Sequence, residues 1–600
     1  MYASSGSMEK GGTTGRPWFG QRDPSKVPAS IKTGSAKVNF TNTLNDLEKS
    51  KYPYDFCVLS WSLWDNCPLD ADVPDAVKKW NQQYAYPHIT IAGGHEIMEM
   101  IDKKYGDKLP VVKGDYTEYW TDGQGTAAGF SAMNRNAKEK LTQSETLWTM
   151  LRPGQSAPRE EFDEAWRYIS LGSEHTWCFE NPTESFFQDA IWKVKQDYFH
   201  QANDRTQALF DEALAPVTDK SKGALGPPDG PSEGGVAVFN TNSWNHGGLI
   251  TLAKAESTRG DRVTDEQGSE MPSQRLTTGE LVFLTSDIPA LGSRHYRVEK
   301  GNSSFANGCI INSTTLENRQ LRVTSKGKGC RSITRSVRIV EGEPWVEISN
   351  VVDKLPLLEK DGIHFGFGFD IPHSVTRVDI PWGVMELEKD QWLQGSRNWI
   401  VLQRWLDISN DKAGVTWCSL DAPLFEHGNM TANIDMKFNK ESSWLTKLEP
   451  SSTIYSWVMN NHWETNFPLT QDGRVTFRYR ILPHREFNVV TANRFGMEQS
   501  QPLTHVAANK KPKITPLILL DNDQVYVTIL KPLGNGKETL IRLRSLSYKP
   551  ETVKLVFPAG TPESIRFCPV GDEPGDPVNG TITMLPYGIS NFRLKFKSVL

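Results

Sequence analysis

Leu171-Gly172-Ser173-Glu174-His175-Thr176-Trp177-Cys178-Phe179 interrupts the longest helical stretch of the sequence, and the patterns on its two sides decide the fold. Upstream, Thr126 to Leu151 carries Met133, Ala137, Leu141, Leu147 and Leu151 on one side of a helix. Pro153 and Pro158 interrupt that pattern, and Glu160 to Leu171 resumes it. Downstream, after Pro182, Glu184 to Leu214 gives the longest helical pattern of all. Three helices joined by short Pro/Gly turns predict an antiparallel bundle. Heptads are not sustained, which argues against a coiled coil. The break itself places a carboxylate, an imidazole and an indole side by side. A helix end of that kind suits a metal ligand in a carbohydrate pocket; the plainer reading is a structural histidine.

Working outward, the sequence before the bundle has a different rhythm. Thr41 to Lys51 reads as a short polar helix ending before Pro53, and Tyr54 to Trp61 as a buried strand. The latter runs into the polar turn Trp64-Asp65-Asn66-Cys67-Pro68. Val73 to Tyr84 has helical spacing, His88 to Ala92 is a second β-like run, and His95 to Tyr105 is again helical. Strand, turn, helix, twice over, predicts parallel βα units, with ligands beyond the strand ends, where Asp65 falls. Two units are too few for a closed barrel or a complete sheet, so the expected α/β part is small or incomplete.

After the bundle, Lys220 to Gly235 (KSKGALGPPDGPSEGG) has linker composition. Beyond it the period is near two, as in Val236-Ala237-Val238-Phe239, Leu281-Val282-Phe283-Leu284 and Val475-Thr476-Phe477-Arg478-Tyr479. Turns recur throughout and hardly any helix is credible, which predicts packed β-sandwiches. The expected fold class is therefore multidomain α/β + α + β. Its parts are a partial parallel β/α barrel remnant over 1–118, a three-helix bundle over 119–216, a linker over 217–235 and a large β-sandwich region over 236–600.

Composition sets the limits on function. Six hundred residues exceed one ordinary core and imply about two to four domains. Lys+Arg of 67 against Asp+Glu of 72 leaves a net charge of −5, with no basic field for nucleic acid. No apolar run approaches the ~18 residues of a membrane span. The seven cysteines, at 57, 67, 178, 309, 330, 418 and 568, form no CxxC pair. The start, MYASSGSMEKGGTTGRPWFG, lacks the apolar core of a signal peptide. Nineteen tryptophans fit sugar-stacking surfaces and large β-sandwich cores equally well.

Several strings, in order, carry a resemblance. They are Trp64-Asp65-Asn66 within WSLWDNCPLDADVPDAVKKWNQQY; Gly114-Asp115-Tyr116 with Tyr119-Trp120; Ser173-Glu174-His175-Thr176-Trp177; Val238-Phe239-Asn240-Thr241-Asn242-Ser243-Trp244; Pro289-Ala290-Leu291-Gly292; and Leu316-Glu317-Asn318. Together they make the chain, from about residue 50 onward, resemble glycoside hydrolase family 38, the zinc-dependent retaining α-mannosidases. The resemblance implies terminal α-mannosides as substrate and one zinc ion that touches two sugar hydroxyls. It also implies two catalytic carboxyl groups about 5–5.5 Å apart, as retention requires.

Carried over residue by residue, the resemblance makes His175 the zinc ligand from the bundle and Asp65 a catalytic carboxylate of the rim. Glu174 would orient the His175 ring or bind sugar hydroxyls, and Trp177 and Trp64 would contribute to the sugar site. Trp64 stands where the family has glycine, which would narrow the pocket. The family's His-x-Asp zinc pair and its nucleophile lie on earlier strands, so the chain is expected to lack both and to be truncated at its N-terminus. Asp23-Pro24 follows no strand pattern and does not replace the nucleophile. The expected partner is an α-mannoside glycan and the expected activity of this chain alone is nil. A missing leader segment would allow a periplasmic or secreted location. The alternative is a non-catalytic descendant that binds glycans or a partner, with Trp244, Trp345, Trp382, Trp392 and Trp399 as platforms. A β-rich surface protein unrelated to sugars is the third reading.

Overall fold

The computed structural model describes residues 2–3, 44–59, 73–109, 111, 114–115, 120–178, 185–218, 235–305, 320–393, 395–432, 444–462, 466–508, 512, 514–534, 536–569 and 575–596. The chain divides into two compact units, residues 1–112 and 113–600. In the first, helices α1 (Val73–Gln83) and α2 (Gly94–Tyr105) form where periodicity predicts them. The Glu96 carboxylate accepts from Gly93 N at 2.7 Å and satisfies one of the free amides at the start of α2. The Tyr105 ring lies 5.1 Å from Tyr54 and 5.5 Å from Phe56. A two-residue strand, Val58–Leu59, pairs in parallel with Tyr2–Ala3.

The second predicted strand of this unit does not form. His88 to Ala92 has no ladder partner. Its backbone is held instead by α1: Asn81 Nδ2 donates to Ile89 O at 2.8 Å, Ile89 N donates back to Asn81 Oδ1 at 2.9 Å, and Trp80 Nε1 donates to Pro87 O at 2.9 Å. A strand needs a neighbour to satisfy its alternate amides; here an asparagine side chain supplies the bonds locally.

In the second unit, helices α3 (Ala128–Leu151), α4 (Arg159–Gly172) and α5 (Ser185–Leu214) pack on one another. Ala137, Leu141 and Leu147 of α3 meet Phe162, Ala165 and Ile169 of α4 and Ala202, Leu209 and Ala213 of α5 in one core. Burying each leucine is worth roughly 1.5–3 kcal/mol. Ala237 and Phe239 join the same core from the strand Gly235–Asn240. None of the described helices is long and apolar enough to cross a membrane.

The β region contains three layered pairs of antiparallel sheets. The first has Thr504–Ala507, Gly235–Asn240, Gly292–Glu299, Arg262–Thr264 and Glu270–Met271 in one sheet, and Leu249–Leu252, Leu281–Leu284 and Ser273–Arg275 in the other. The second has an eight-stranded sheet, from Gln320–Gly327 at one edge to Gly383–Glu386 at the other. Its four-stranded companion orders Gly362–Gly368, Thr453–Asn460, Leu424–His427 and Ile400–Val401. Phe365, Phe367, Trp417, Phe425, Phe477 and Tyr479 fill the core between them. The third pair, over 519–595, closes on Leu530, Ile541, Leu543 and Phe592.

Thr504–Ala507 pairs with Gly235–Asn240, so the eight-plus-four sandwich is an insertion within the first one. The return path includes a helix that the sequence reading did not anticipate, α6 (Val489–Ser500), capped by Asn488, whose Oδ1 accepts from Thr491 N at 3.0 Å. Gly496 of α6 is forced by packing, because a Cβ there would lie 2.5 Å from the Trp405 ring.

An ionic cluster joins α3 to these sandwiches. Glu139 of α3 pairs with Arg404 at 2.9 Å and accepts from Gln501 Nε2 at 2.7 Å. Asp379, itself buried, lies 3.9 Å from Arg544, and burial pushes its carboxyl up to about 6 against the pull of Arg544 and Arg404.

Candidate functional site

The segment after α4 is built by short-range bonds. Ser173 Oγ donates to Ile169 O at 2.8 Å, and Asn134 Nδ2 of α3 donates to both Ile169 O and Ser173 Oγ at 3.0 Å. The chain then turns through Glu174, whose Oε2 accepts from Thr176 N at 2.9 Å and from the Thr176 hydroxyl. Its other oxygen, Oε1, lies 2.7 Å from His175 Nδ1. Lys195 of α5 approaches Glu174 Oε2 at 3.7 Å. Partial burial works against ionisation of Glu174, but the Thr176 bonds, His175 and Lys195 prevail and lower its pKa.

His175 is 59% exposed, with its ring 6.3 Å from that of Trp120. An imidazole that gives Nδ1–H to a carboxylate presents the lone pair of Nε2 outward, which is how a second-shell carboxylate prepares a histidine for a metal or a hydroxyl. Trp177 is buried. Its ring packs 5.8 Å from Phe467 and so close over Gly123 that a Cβ there would fall 2.0 Å from it. Cys178 N donates to Asn466 O at 2.6 Å, which ties the segment to the large sandwich.

That sandwich supplies a second wall. Asn460 Nδ2, at the end of the strand Thr453–Asn460, donates to Asp122 O at 2.8 Å, and His462 Nδ1 lies 3.5 Å from the fully buried Asp122 carboxylate. Trp457 stands between two imidazoles: His364 stacks parallel at 5.8 Å and His462 meets it edge-on at 5.1 Å. His364 Nε2 is 2.5 Å from the buried Glu426, which also accepts from Ala432 N at 2.8 Å. Trp399 Nε1 donates to Thr121 Oγ1 at 3.2 Å. Upstream, Asp115 bridges the 390–392 loop, donating to Asp390 O and accepting from Trp392 N, each at 2.8 Å. The positive φ of Gly114 and the nearness of Asp390 O leave no room there for a side chain.

Of the residues singled out from sequence, Glu174, His175 and Trp177 therefore stand together at the junction of bundle and sandwich. Asp65 and Trp64 lie outside the described residues. The two β-region strings also meet: Asn240 Nδ2 donates to Trp244 O, Ile288 O and Pro289 O at 2.7–3.1 Å, and Leu291 N donates to Asn242 O at 2.9 Å. Leu316-Glu317-Asn318 is outside the described residues. Among the tryptophans weighed as platforms, Trp244, Trp345 and Trp399 are buried in cores, while Trp382 and Trp392 are exposed.

The residues that sequence reasoning missed are Asp122, His364, Glu426 and His462. A polar triplet, Asn460-Asn461-His462, straight after an apolar strand was the available signal for the last of these.

Glu174–His175 fits one zinc ligand with its orienting carboxylate. Among the described residues, however, no group of three or more His, Cys, Asp or Glu is placed to hold a metal ion, so they do not make a zinc site. The described cysteines, Cys57, Cys178, Cys330, Cys418 and Cys568, are free thiols.

Comparison with solved structures finds the same mixed architecture, helices with several antiparallel sheets, in two other proteins. An α-mannosidase from Enterococcus faecalis V583 superposes with a TM-score of 0.65 at 13% identity, covering 95% of this chain and 79% of that one. A protein in the glycosyl hydrolase family 38 from Enterococcus faecalis gives 0.64 at 13% identity, covering 96% and 81%. The chain shares the fold of these structures across nearly its whole length. No family model and no curated protein matches it.

Proposed function

We propose that this protein is a family 38-type glycoside hydrolase homologue that recognises terminal α-mannosides at the Glu174–His175 edge and does not turn them over by itself. The observation that carries the reading is this pair, presented where bundle and sandwich join in a fold shared with an α-mannosidase over 95% of the chain. His175 Nε2 would accept from a sugar hydroxyl or serve as one zinc ligand. Glu174 would hold the ring, with Trp177 packed behind it; catalytic and sugar-contact roles for Asp65 and Trp64 rest on the sequence resemblance alone. In this reading residues 1–118 are a barrel remnant, 119–216 the bundle and 217–235 a linker before the sandwiches.

The lack of turnover follows from the residues. No His-x-Asp occurs anywhere in the 600 residues, and a single histidine is not a zinc site. No zinc-dependent step is therefore assigned to this chain. The same absence favours the second reading, a non-catalytic glycan- or partner-binding protein.

The test uses the full chain with 13C-labelled histidine. Methyl α-D-mannopyranoside should shift the His175 signal, assigned by its loss in His175→Ala, in a saturable way. Methyl α-D-galactopyranoside should not. With 4-nitrophenyl α-D-mannopyranoside, release of nitrophenol should match the His175→Ala background, with or without added zinc. An unresponsive His175 signal would sink the sugar site, and zinc-dependent release would sink the claim of inactivity.

A further inference from the structure

Two turns of the second unit share a pattern that the fold does not require. Ile380-Pro381-Trp382-Gly383 joins the strands Val375–Ile380 and Gly383–Glu386, and Leu585-Pro586-Tyr587-Gly588 joins Thr581–Met584 to Ile589–Lys595. In each, the residue after proline is aromatic and left-handed, with φ of 63° at Trp382 and 52° at Tyr587. That backbone conformation favours glycine, because a Cβ crowds the neighbouring carbonyl. Both turns have glycine one position later, yet they hold a large ring at the strained position. Neither ring offsets the strain by burial: Trp382 is 45% exposed and Tyr587 37%. Strain kept at an exposed side chain directs attention to what that side chain meets outside the fold.

The two turns belong to different sandwiches and are brought together by one strand, Glu538–Ser545. Arg544 Nη2 donates to Gly383 O at 3.1 Å, and the next residue donates through Ser545 N to Gly588 O at 2.9 Å. Arg544 is itself buried and fixed, donating from Nη1 to Tyr526 Oη at 3.1 Å. The second turn is closed by Gly588 N on Leu585 O at 2.8 Å and anchored by Tyr587 N on Ser547 O at 2.9 Å. Consecutive residues of one strand therefore set the positions of both rings.

Polar groups flank them. Arg542 lies 5.6 Å from one face of the Trp382 ring and donates from Nε to Asn591 Oδ1 at 2.7 Å. Its Nη groups have no hydrogen-bond partner among the described residues and are not sealed from solvent. Asp390, Lys389 and a further exposed ring, Tyr548, stand near Tyr587. Burial, Asp390 and Tyr548 raise the pKa of the Tyr587 phenol against the pull of Lys389, so its hydroxyl stays able to donate and accept. Asp390 accepts from Glu386 N through Oδ2 at 2.8 Å, which leaves Oδ1.

This mixture selects a ligand class. Charges of both signs interleave with the rings, whereas the core of a protein interface is depleted of charge. Single-stranded nucleic acid stacks on aromatic rings within a positively charged groove, but here Asp390 is beside Tyr587 and Lys389 pairs with Glu386 at 3.4 Å. Neutral sugar rings match both features: apolar C–H faces pack on an indole or a phenol, and hydroxyl edges bond to guanidinium, carboxylate and phenol. Two platforms on neighbouring turns suit a chain of rings and not a single one.

We propose that the paired Pro-aromatic-Gly turns form an external carbohydrate platform, on which rings of a neutral oligosaccharide stack on Trp382 and Tyr587 while Arg542 and Asp390 bond to their hydroxyls. The proposal does not rest on the reading given to Glu174 and His175.

The experiment is isothermal titration of the full chain carrying His175→Ala, in which the Glu174–His175 edge contributes nothing. The probes are α-(1→6)-mannotetraose and cellotetraose, with methyl α-D-mannopyranoside as the single-ring control. At least one tetrasaccharide should bind saturably, about tenfold or more tighter than the single ring, because two platforms act together. Trp382→Gly and Tyr587→Gly each remove a ring and the strain at once. Each should weaken binding about fivefold or more and leave the midpoint of urea unfolding unchanged or higher. No tetrasaccharide binding would overturn the proposal, as would binding indifferent to both substitutions. A midpoint lowered by both would do so too, because the rings would then be packing elements of the fold. Self-association that both substitutions abolish in sedimentation velocity, without tetrasaccharide binding, would assign the surface to a second copy of the chain instead. None of these results bears on the response of His175 in the wild-type chain.

Discussion

Helices α2 and α3 are both amphipathic on paper, yet they have opposite fates. On α3 the apolar positions predicted from sequence reach a shared core: Leu141 and Leu147 are completely buried, and α4, α5 and the strand Gly235–Asn240 all contribute to it. On α2 no residue is buried, and Met98 and Met100 are exposed. The contrast extends to polar groups. Unit 113–600 buries Glu139 with Arg404 and Asp122 beside His462, whereas the ion pairs described in unit 1–112, Lys104–Asp55 at 2.6 Å and Lys49–Asp46 at 3.6 Å, are at the surface. Periodicity states that a face exists; only a partner turns it into stability. The groups proposed to act, Glu174 and His175, sit on the side of this comparison where partners abound.

The largest effect should come from the buried charges that join α3 to the sandwiches. Arg404→Met takes from the desolvated Glu139 carboxylate its cation at 2.9 Å and leaves Asp379 with Arg544 alone, and such a break costs about 3–5 kcal/mol. Urea unfolding followed by tryptophan fluorescence should show it as a lower midpoint. The double variant Glu139→Gln/Arg404→Met should recover part of the loss, because the stranded Glu139 charge is then gone while Asp379 keeps Arg544 at 3.9 Å. A single variant as stable as wild type would remove the ionic half of the contrast.

How far all this could be read in advance follows the same division. The three long helices were legible because their period persists over many turns and their faces have partners within the same hundred residues. The alternation of the β region was legible for the same local reason. Its topology was not: Thr504–Ala507 returns to Gly235–Asn240 across an inserted sandwich, and Glu139 meets Arg404 across 265 positions. Helix α6 escaped notice because Val489-Val490-Thr491 reads as β-branched strand and Gly496 as a breaker, while Trp405 demands that glycine. His88 to Ala92 erred the other way, being strand-like in composition with Asn81 in place of a ladder. At the candidate site, Glu174, His175 and Trp177 were legible because one short segment carries them. Asp122 and His462 meet through the fold, and no spacing rule links them.

A second test addresses how tightly the site is held. Gly123→Ala would put a methyl group into the Trp177 ring, with Phe467 only 2.7 Å from the same point. Overpacking of this kind costs about 1–3 kcal/mol. Because Trp177 follows His175 by two residues, the variant should also blunt the response of the His175 signal to methyl α-D-mannopyranoside. A stable variant with an unchanged response would show that packing under Trp177 does not position the edge.

A pH experiment should give a smaller effect with a definite sign. Burial pushes the Glu498 carboxyl up to about 7 from its ordinary 4.5, helped by the nearby Glu343 and Asp287 and opposed by the Trp244 bond and Arg494. A raised carboxyl pKa adds stability that is fully present below about pH 4.5, falls away up to about pH 7 and is absent above it. Glu498→Gln keeps an acceptor for the Trp244 indole and never ionises. Relative to wild type it should therefore gain stability between pH 4.5 and 8, by up to about 3 kcal/mol. A flat difference between the two proteins over that window would show that Glu498 ionises without penalty and that its surroundings are wetter than their packing indicates.

The smallest expected effect is the one that most directly tests the contrast between α2 and α3. Met98 is 56% exposed and lies on the apolar stripe of α2. If that stripe has no partner, Met98→Ala removes little buried surface and replaces methionine with a better helix former. The net change should stay within about 0.5 kcal/mol, as for ordinary surface positions. The readout is the hydrogen-exchange protection of α2 amides in the full chain, which reports on this helix and not on the larger unit. A loss of protection worth more than about 2 kcal/mol would be the signature of a core truncation. Met98 would then have to be covered in solution, and the stripe on α2 would be an interface in the same sense that the stripe on α3 is a core.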